Sequence, residues 1–560
     1  MDIQPQLLTL HKLLNGRLFR IPQYQRAYSW TSEQRTDLFN DIERVFARPS
    51  SSHFMATIVA LRRGNRLIGT DEFHLVDVVD GQQRLTTLVI LLKAIQRASE
   101  KSAGDAAIAS ELGALLVKAD DIAPVLLQTN HDSSAHCITY LRKGTHPSPN
   151  TATTTADQRL LGAMVDCEGF VADWLESGRK LGELVALLKN RLHFILHEIT
   201  DEALVYTVFE VLNSRGLEVS HFDRLKSALM GVAFEAKTGN ATETIDELHR
   251  IWRDVYAAVG LRTGVSSEAL KFAATLRAKE RPNRPLGEEE AVRVLREIAG
   301  STAKGVVEVS QWILTVTKAV AALRADRRLH GVTDIAQARL LAVAILLRDD
   351  LSQDERDTLR DAWEKVSFRI YGMFRKDART KVGDYVRHAW WCIHRRPSAK
   401  DVREGIVRLG TDFPIGDAIN VLRDANCYED WQSELRYMLF RYEEHLAAKR
   451  GQKFDNEQWA RIWATTAAES IEHVYPQSKG SAIQTPTGIF VHRLGNLTLL
   501  PPGLNSKLGA KDPVDKKGEY QKTGLAIAAD VADRIPTWDR AAIEAREEEL
   551  LLWAGQEWAD

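Results

Sequence analysis

A chain of 560 residues is too long to close around one hydrophobic core, which sets an expectation of roughly two to four domains. Its 74 Lys and Arg against 76 Asp and Glu give a formal net charge of -2. That balance excludes a protein that holds DNA by bulk positive charge, so any nucleic-acid contact must come from local patches. The four cysteines, Cys137, Cys167, Cys392 and Cys427, form no C-x-x-C pair. A disulfide framework and a zinc ribbon are both disfavoured, and a reducing, cytoplasmic setting is expected. The opening MDIQPQLLTLHKLL lacks the basic and apolar regions of a signal peptide. Apolar runs such as Leu340 to Leu347 are too short to span a bilayer, so no membrane partner is expected.

The first distinctive segment is IPQYQRAYSW (21–30), with Tyr24, Tyr28 and Trp30 among Gln23, Gln25 and Arg26. Aromatics at this density are most often core, yet glutamines and an arginine among them also fit a recognition surface. HFMATIVAL (53–61) and FHLVDVVD (73–80) read as strands bounded by Gly, Asn and Asp. QRLTTLVILLKAIQRA (83–98) reads as a buried helix. At their junction, VVDGQQRLTTL (78–88) sets Asp80 and Gly81 between strand end and helix start. Such a corner exposes backbone N–H groups at the positive end of the helix dipole, where phosphate binds. Gly81 lets the backbone approach, Arg84 is able to pair with two phosphate oxygens, and Gln82 and Gln83 can bond a phosphate, a base or water. A capped helix with a solvated arginine fits the same letters.

KGTHPSPNTATTTADQ (143–158) is expected to be a surface loop. In VFEVLNSRGLEVSHFDRLKSALM (208–230), Asn213 and Gly216 read as the end of one helix. Ser220 and Asp223 read as a capping box for the next. Arg215 and Lys226 either face an anion or are ordinary solvated charges. From about 231 to 450 the apolar spacing is helical, with KERPNRPLGEE (279–289) as a connector. Residues 369–396 carry eight Lys or Arg against two acids, with Tyr371, Phe374, Tyr385, Trp390 and Trp391 interleaved. A basic helix face with aromatics fits a DNA groove contact, and a solvated helix with core aromatics fits equally well.

After residue 451 the text becomes a cluster of His, Asn, Pro and Gly: IEHVYPQS (471–478), then HRLGNLTLLPPGLNSKLGAK (492–511). Hydrolysing a phosphodiester requires a base to activate water and a cation to neutralise the phosphorane and leaving group. One neutral His beside hard oxygen ligands suits a single Mg2+ or Mn2+. His473 is the candidate base and Glu472 a candidate ligand. Asn496 lies 23 residues beyond His473, and Asn505 nine further, after a Pro501-Pro502-Gly503 turn that lets it open a helix. The order of a strand with the His, a loop, a second strand and a helix with a ligand is that of a ββα-metal nuclease. In it Asn496 orients His473, Asn505 reaches the metal, and Lys507 and Lys511 face phosphates. Taken singly, a His beside a Glu on a strand and an N-L-T turn are ordinary structure; their joint order favours the nuclease.

This stretch resembles the DUF1524 branch of the HNH (His-Me finger) endonucleases, whose pattern runs E-H-x-x-P-Q, then L-G-N-L-x-L-L, then an Asn with lysines. YMLFRYEEHLA (437–447) is similar to that family's helical lead-in. The resemblance implies His473 as general base, Asn496 as its positioning residue, Asn505 as a metal ligand and Glu472 as a second one. His492 reads as loop structure or a phosphate contact. The N-terminal groups, P-x-Y-Q-R-x-Y-x-W, D-G-Q-Q-R-L-T-T-L and F-x-x-L-N-S-R-G-L, resemble over residues 10–230 the DUF262 family, which is related to the ParB-like nucleotide-binding fold. Ala56 stands where many members carry Gly. This second resemblance implies a nucleotide site, GTP or another NTP, at Arg26, Asp80, Gly81, Gln82, Gln83, Arg84, Asn213 and Lys226. No Walker P-loop is present, so NTP hydrolysis would use the ParB-like site.

Together the two stretches resemble the GmrSD-type restriction enzymes and the related phosphorothioate-sensing effectors, in which nucleotide hydrolysis is coupled to DNA cleavage. The expected architecture is an α+β, ParB-like domain over 1–230, a mainly α-helical region over 231–450, and an HNH domain over 451–560. The expected function is modification-dependent DNA restriction, with double-stranded modified DNA and a nucleotide as partners and a homo-oligomer as a further expectation. Tyr24, Gln25, Tyr28 and Trp30 are expected to read the modification; phosphorothioate and glucosylated hydroxymethylcytosine both stay open. The alternative is a nucleotide-switched DNA-binding regulator with a vestigial nuclease, against which the presence of His473, Asn496 and Asn505 together weighs.

Overall fold

The computed structural model describes residues 5–22, 25, 27–48, 52–118, 123–128, 134–200, 220–235, 241–429, 431–452, 456–482 and 490–560. The chain is mostly helical, with a mixed sheet near its N-terminus. It divides into two compact units, Met1–Ser267 with Val292–Leu314, and Glu268–Ala291 with Thr315–Asp560. The helical stretch expected as a separate middle region is thus shared between the two. The reason is tertiary: Trp390 and His394 donate to the carbonyls of Ala278 and Leu276, at 2.9 Å each, which ties the 279–289 neighbourhood to the second unit.

In the first unit the strands are β1 (Pro5–Thr9), β2 (Arg17–Ile21), β3 (His53–Ile68), β4 (Asp71–Asp80), the two-residue pair β5 (Val117–Lys118) and β6 (Ala123–Pro124), β7 (Leu126–Gln128) and β8 (Leu192–Ile199). Six of them form one sheet in the order β1-β8-β3-β4-β2-β7. β3 pairs antiparallel with β4 and parallel with β8, while β2 is parallel to both β4 and β7. The strand expected to end near residue 61 runs on to Ile68 and returns through Gly69 and Thr70. β4 lies inside the sheet, so Val76, Val78 and Val79 are buried. Alternate side chains of a strand point to opposite faces. Accordingly Val76 and Val78 join the main core, and Phe73 joins a small cluster with Leu18. Buried Asp77 takes Arg20 at 2.6 Å and Arg63 at 2.7 Å, which compensates its charge.

The helix Gln82–Ser99 leaves the end of β4 and is buried almost all round, as its continuous run of Leu, Ile and Val requires. The expected loop 143–158 ends earlier, because Thr154 caps a helix over Thr155–Glu176 with a reciprocal bond to Asp157. Ser220 likewise accepts from the Asp223 amide at 3.1 Å at the start of the helix His221–Glu235.

The second unit is built on aromatic residues. Trp363, Trp431, Trp459, Trp558 and Tyr437 are buried, and the indole N–H groups of Trp363 and Trp431 each donate to a backbone carbonyl at 2.7 Å. Arg369, first of the eight basic residues of 369–396, does not belong to a surface face. It is fully buried and donates to the Trp558 carbonyl and the Asp560 carboxylate. Tyr371 and Tyr385 are also internal. Among the described residues one helix, Ala303–Ala325, is long and apolar enough to cross a membrane by length and composition. Its Val306, Ile313, Val316 and Val320 are buried inside the protein. All four cysteines are free and buried.

Candidate active site

Near the C-terminus β9 (Ile471–His473) is followed along the chain by β10 (Leu497–Leu499) and then by the short helix Leu504–Leu508. β9 and β10 pair antiparallel with His473 opposite Leu497 and Glu472 opposite Thr498. Gly503, at φ 78, supplies the left-handed turn that starts the helix.

His473 is 8% exposed. Its Nε2 lies 3.1 Å from Nδ1 of His492, so one imidazole donates to the other. Tyr428 sets its ring edge-on to His473 at 4.4 Å and parallel to His492 at 5.7 Å. Burial, with His492 and the Lys516 ammonium nearby, pulls His473 down to about 3. The imidazole is therefore neutral at neutral pH, with a lone pair available. His492, read from the sequence as loop or phosphate contact, is instead the partner of the candidate base. Nothing in the one-dimensional text distinguished it from a loop histidine.

Glu472 faces away from His473, as strand alternation requires. Its Oε1 accepts from Lys516 Nζ at 2.6 Å and from Tyr520 hydroxyl at 3.1 Å, with Lys516 and Tyr520 both fully buried. Lys516 also donates to the His473 carbonyl at 2.8 Å. Glu472, expected as a second metal ligand, thus has Oε1 engaged by an ammonium in a buried pair.

Asn496 is fully buried and uses all four hydrogen-bonding positions of its amide. Oδ1 accepts from the Tyr475 amide at 2.8 Å and the Trp538 indole at 3.1 Å. Nδ2 donates to the carbonyls of Tyr475 at 3.1 Å and Val491 at 2.8 Å. Asn496 thus fastens both ends of the loop between the strands, next to both histidines, and touches neither imidazole. Asn505 donates from Nδ2 to the Ile471 carbonyl at 2.8 Å, and among the described residues its Oδ1 accepts no hydrogen bond. Lys507 and Lys511 are exposed after the turn.

The helix Arg540–Glu557 clamps this assembly from behind. Buried Arg546 donates from Nη1 to the carbonyls of Gly495 and Leu497 at 2.8 Å each. Arg493 pairs through Nε with Glu547 at 2.9 Å and through Nη2 with Asp424 at 2.7 Å. A methyl on Gly495 would overlap the Ile543 carbonyl oxygen and come within 3.0 Å of the Glu547 nitrogen. Gly495 is therefore glycine because the helix backbone crosses it. Among the described residues, no group of three or more His, Cys, Asp or Glu is arranged to hold a metal ion.

A second arrangement forms at the strand-to-helix corner of the first unit. Gly81 is left-handed at φ 87, and a methyl there would meet Ile58 Cγ1 at 3.0 Å and the Thr57 carbonyl at 3.1 Å. No side chain caps the helix that follows. Arg84 lies with its guanidinium 5.8 Å from the Trp30 ring centre, in the field of Asp41 and Asp80. Gln82 is buried at the start of this helix.

Four residues of this neighbourhood bond within the protein's own chain. Gln83 accepts from the Ser29 amide at 2.8 Å and donates to the Ala27 carbonyl at 3.2 Å, so its amide is spent on the protein's own backbone. Gln25, 1% exposed, donates to the Val79 carbonyl at 2.6 Å. The Tyr28 hydroxyl bonds Thr87 at 2.8 Å, and buried Trp30 accepts from Arg35 through its carbonyl at 2.6 Å. Gln25, Tyr28 and Trp30, expected as readers of a DNA modification, are buried, with the Gln25 amide and the Tyr28 hydroxyl bonded within the protein. Tyr24, Arg26 and Asn213 lie outside the described residues. Lys226 is not a solvated charge; it is buried over the Tyr256 ring at 5.1 Å, beside Asp223, and burial lowers it to about 8.

Comparison with known families matches residues 10–230 to the GmrSD restriction endonuclease N-terminal domain. Residues 415–553 match the C-terminal domain of the GmrSD restriction endonucleases. No curated protein matches the chain. The strand-to-helix corner lies within the first match and the paired histidines within the second. With both domains present in this order over more than half of its length, the chain belongs to the GmrSD restriction endonuclease family, whose partner is DNA.

Proposed function

We propose that this chain is a modification-dependent restriction endonuclease in which His473 is the general base and a nucleotide bound at the Asp80–Arg84 corner gates the cut. The observation that carries the nuclease half is the neutral, buried imidazole of His473, paired through Nε2 with His492. For Nδ1 to take a proton, Nε2–H must donate to His492 Nδ1; that tautomer leaves the Nδ1 lone pair for water. The water oxygen attacks phosphorus as its proton passes to Nδ1, the bond from phosphorus to the leaving oxygen breaks, and the leaving oxygen takes a proton from solvent. Asn496 acts on this step only by holding the loop. A Mg2+ or Mn2+ entering with the substrate would be held by Asn505, phosphate oxygens and water, and would neutralise charge on phosphate. Lys507 and Lys511 contact flanking phosphates.

The nucleotide half rests on an uncapped helix start beside Arg84, an arrangement suited to a phosphate. GTP is the first nucleotide to try. Arg84→Ala is expected to lower NTP turnover at least tenfold and to leave cleavage of non-specific DNA in excess Mn2+ unchanged. Unaltered turnover in steady-state phosphate release would move the nucleotide site elsewhere.

The pH profile tests the base. Only neutral His473 accepts a proton, so activity is lost as pH falls through its pKa in the folded protein. With that value near 3 rather than the ordinary 6.5, kcat/KM for cleavage is expected to stay level from about pH 8 to about pH 5. A half-loss near 6.5 would refute the buried-base reading.

The function as a whole is tested on matched plasmids: unmodified, phosphorothioated, and carrying glucosylated hydroxymethylcytosine, each with and without GTP. Cleavage restricted to one modified plasmid and dependent on GTP is the expected result. Binding without cleavage in every arm would leave a nucleotide-switched DNA-binding regulator.

A further inference from the structure

The second unit contains a cleft remote in sequence from the histidine pair. It is a cavity of about 430 Å3, with Arg281, Lys381, Arg387, Arg408, Trp391 and His388 in its wall. Volumes of roughly 300–1,000 Å3 are those of sites that enclose a small organic ligand, whereas a bare phosphate needs far less room.

The charges in the wall are unbalanced. Lys381 is met by Asp412 at 2.5 Å and Arg387 by Asp384 at 2.6 Å. Arg281 and Arg408 are both exposed and have no ion-pair partner among the described residues. Arg387 is further fixed by Asn283, which accepts from it at 2.8 Å. The result is a rim of four cations against two acids, with two guanidinium groups left to face an anion.

An aromatic pair stands in the same wall. Trp391 and His388 stack at 5.4 Å with 27° between their planes. His388 bonds the Val402 carbonyl at 3.1 Å, and burial holds its pKa down at about 4, so it adds an uncharged ring rather than a fifth cation. Gly405 makes room for that ring, since a methyl there would overlap it. Lys381 starts the helix Val382–Arg395 in a left-handed conformation, φ 56, that is strained for a lysine.

We infer that this cleft binds a nucleotide, its base laid against the Trp391 ring of the Trp391–His388 stack and its phosphate held by Arg281 and Arg408. A groove that only tracked a phosphate backbone would need no stacked aromatic pair in its wall. A cleft for an apolar ligand would not gather four cations. The inference stands whether or not His473 is the nuclease base. The nucleotide comes either free from solution or as one unit of a DNA strand turned out of its stack; in both cases the chemistry is a planar base next to a phosphate.

The test is photocrosslinking of the full-length protein, with adducts mapped to the tryptic peptide 388–395. Two probes carry the same reactive base: free 5-iodo-deoxyuridine monophosphate, and a single-stranded oligonucleotide containing one 5-iododeoxyuridine. An adduct on 388–395 from either probe is expected, reduced at least tenfold in Trp391→Ala and in the Arg281→Ala/Arg408→Ala double variant. These side chains are exposed or half-buried, so the variants are expected to fold, and circular dichroism checks that they do. Labelling by the monophosphate identifies a free nucleotide, and labelling by the oligonucleotide alone identifies a DNA strand. No adduct on this peptide from either probe, or an adduct that persists in the double variant, overturns the inference.

Discussion

His473→Ala is expected to reduce DNA cleavage by about 10²–10⁴-fold, the usual contribution of a positioned base, while NTP turnover and the unfolding temperature stay near those of the unaltered protein. The geometry explains why the loss is confined to chemistry. The β9–β10 pairing and the Lys516–Glu472 pair lie on the backbone or the opposite face of the strand, so neither depends on the imidazole. What the substitution removes is a lone pair beside His492. His492→Ala should produce a smaller loss, because His473 then keeps its lone pair and loses the bond that selects its tautomer. Plasmid nicking under single-turnover conditions measures both. Cleavage by His473→Ala at the unaltered rate would exclude this histidine as the base.

Gly495→Ala is expected to be the most damaging single methyl in the second unit. The new Cβ would be driven into the backbone of the helix Arg540–Glu557 at Ile543. Backbone cannot rotate aside as a side chain does, so the helix itself must move. That movement loosens Arg546 from the Gly495 and Leu497 carbonyls and Arg493 from Glu547, both in buried surroundings. Overpacking alone costs about 1–3 kcal/mol, and weakening a buried charge pair puts this case at about 3 kcal/mol or above. At about 2–4 °C per kcal/mol for a unit of this size, the unfolding temperature falls by roughly 6–12 °C. Cleavage falls with it, because His492 and Asn496 flank the displaced segment. Gly518→Ala is the control: it lies within the helix Pro513–Gln521 with nothing inside 4 Å of the new methyl, and a gain of about 0.5–1 kcal/mol is expected. Calorimetry on both variants separates the two effects, and an unshifted Gly495→Ala transition would contradict the close crossing of the helix.

Much of the local structure was legible in the text because its causes are local. The run HFMATIVAL and the run FHLVDVVD are strands, and the apolar QRLTTLVILLKAIQRA is a helix, since β-branched alternation and continuous aliphatic burial act within a few residues. The Ser220–Asp223 cap formed where it was expected for the same reason. Boundaries were less legible: β3 continued past residue 61 because its neighbour β4 supplied a partner, and pairing is not a property of one segment.

The sequence by itself determined which chemical groups are present and in what order: His473 before Asn496 before Asn505, and Asp80–Gly81 between a strand and a helix. Tertiary structure alone decided what each group is free to do. Gln25 and Tyr28 look like a recognition surface as letters and Gln83 like a phosphate contact, and packing engages all three in bonds within the protein. Glu472 looks like a ligand beside His473, and Lys516, 44 residues on, takes its charge on the opposite face of the strand. His492 looks like a loop residue and becomes the partner of His473. The physical reason is common to these cases. A polar side chain is either open to a substrate or committed to an internal bond, and the commitment is made by groups distant in the chain, brought within 3 Å or so only when the helices and strands pack.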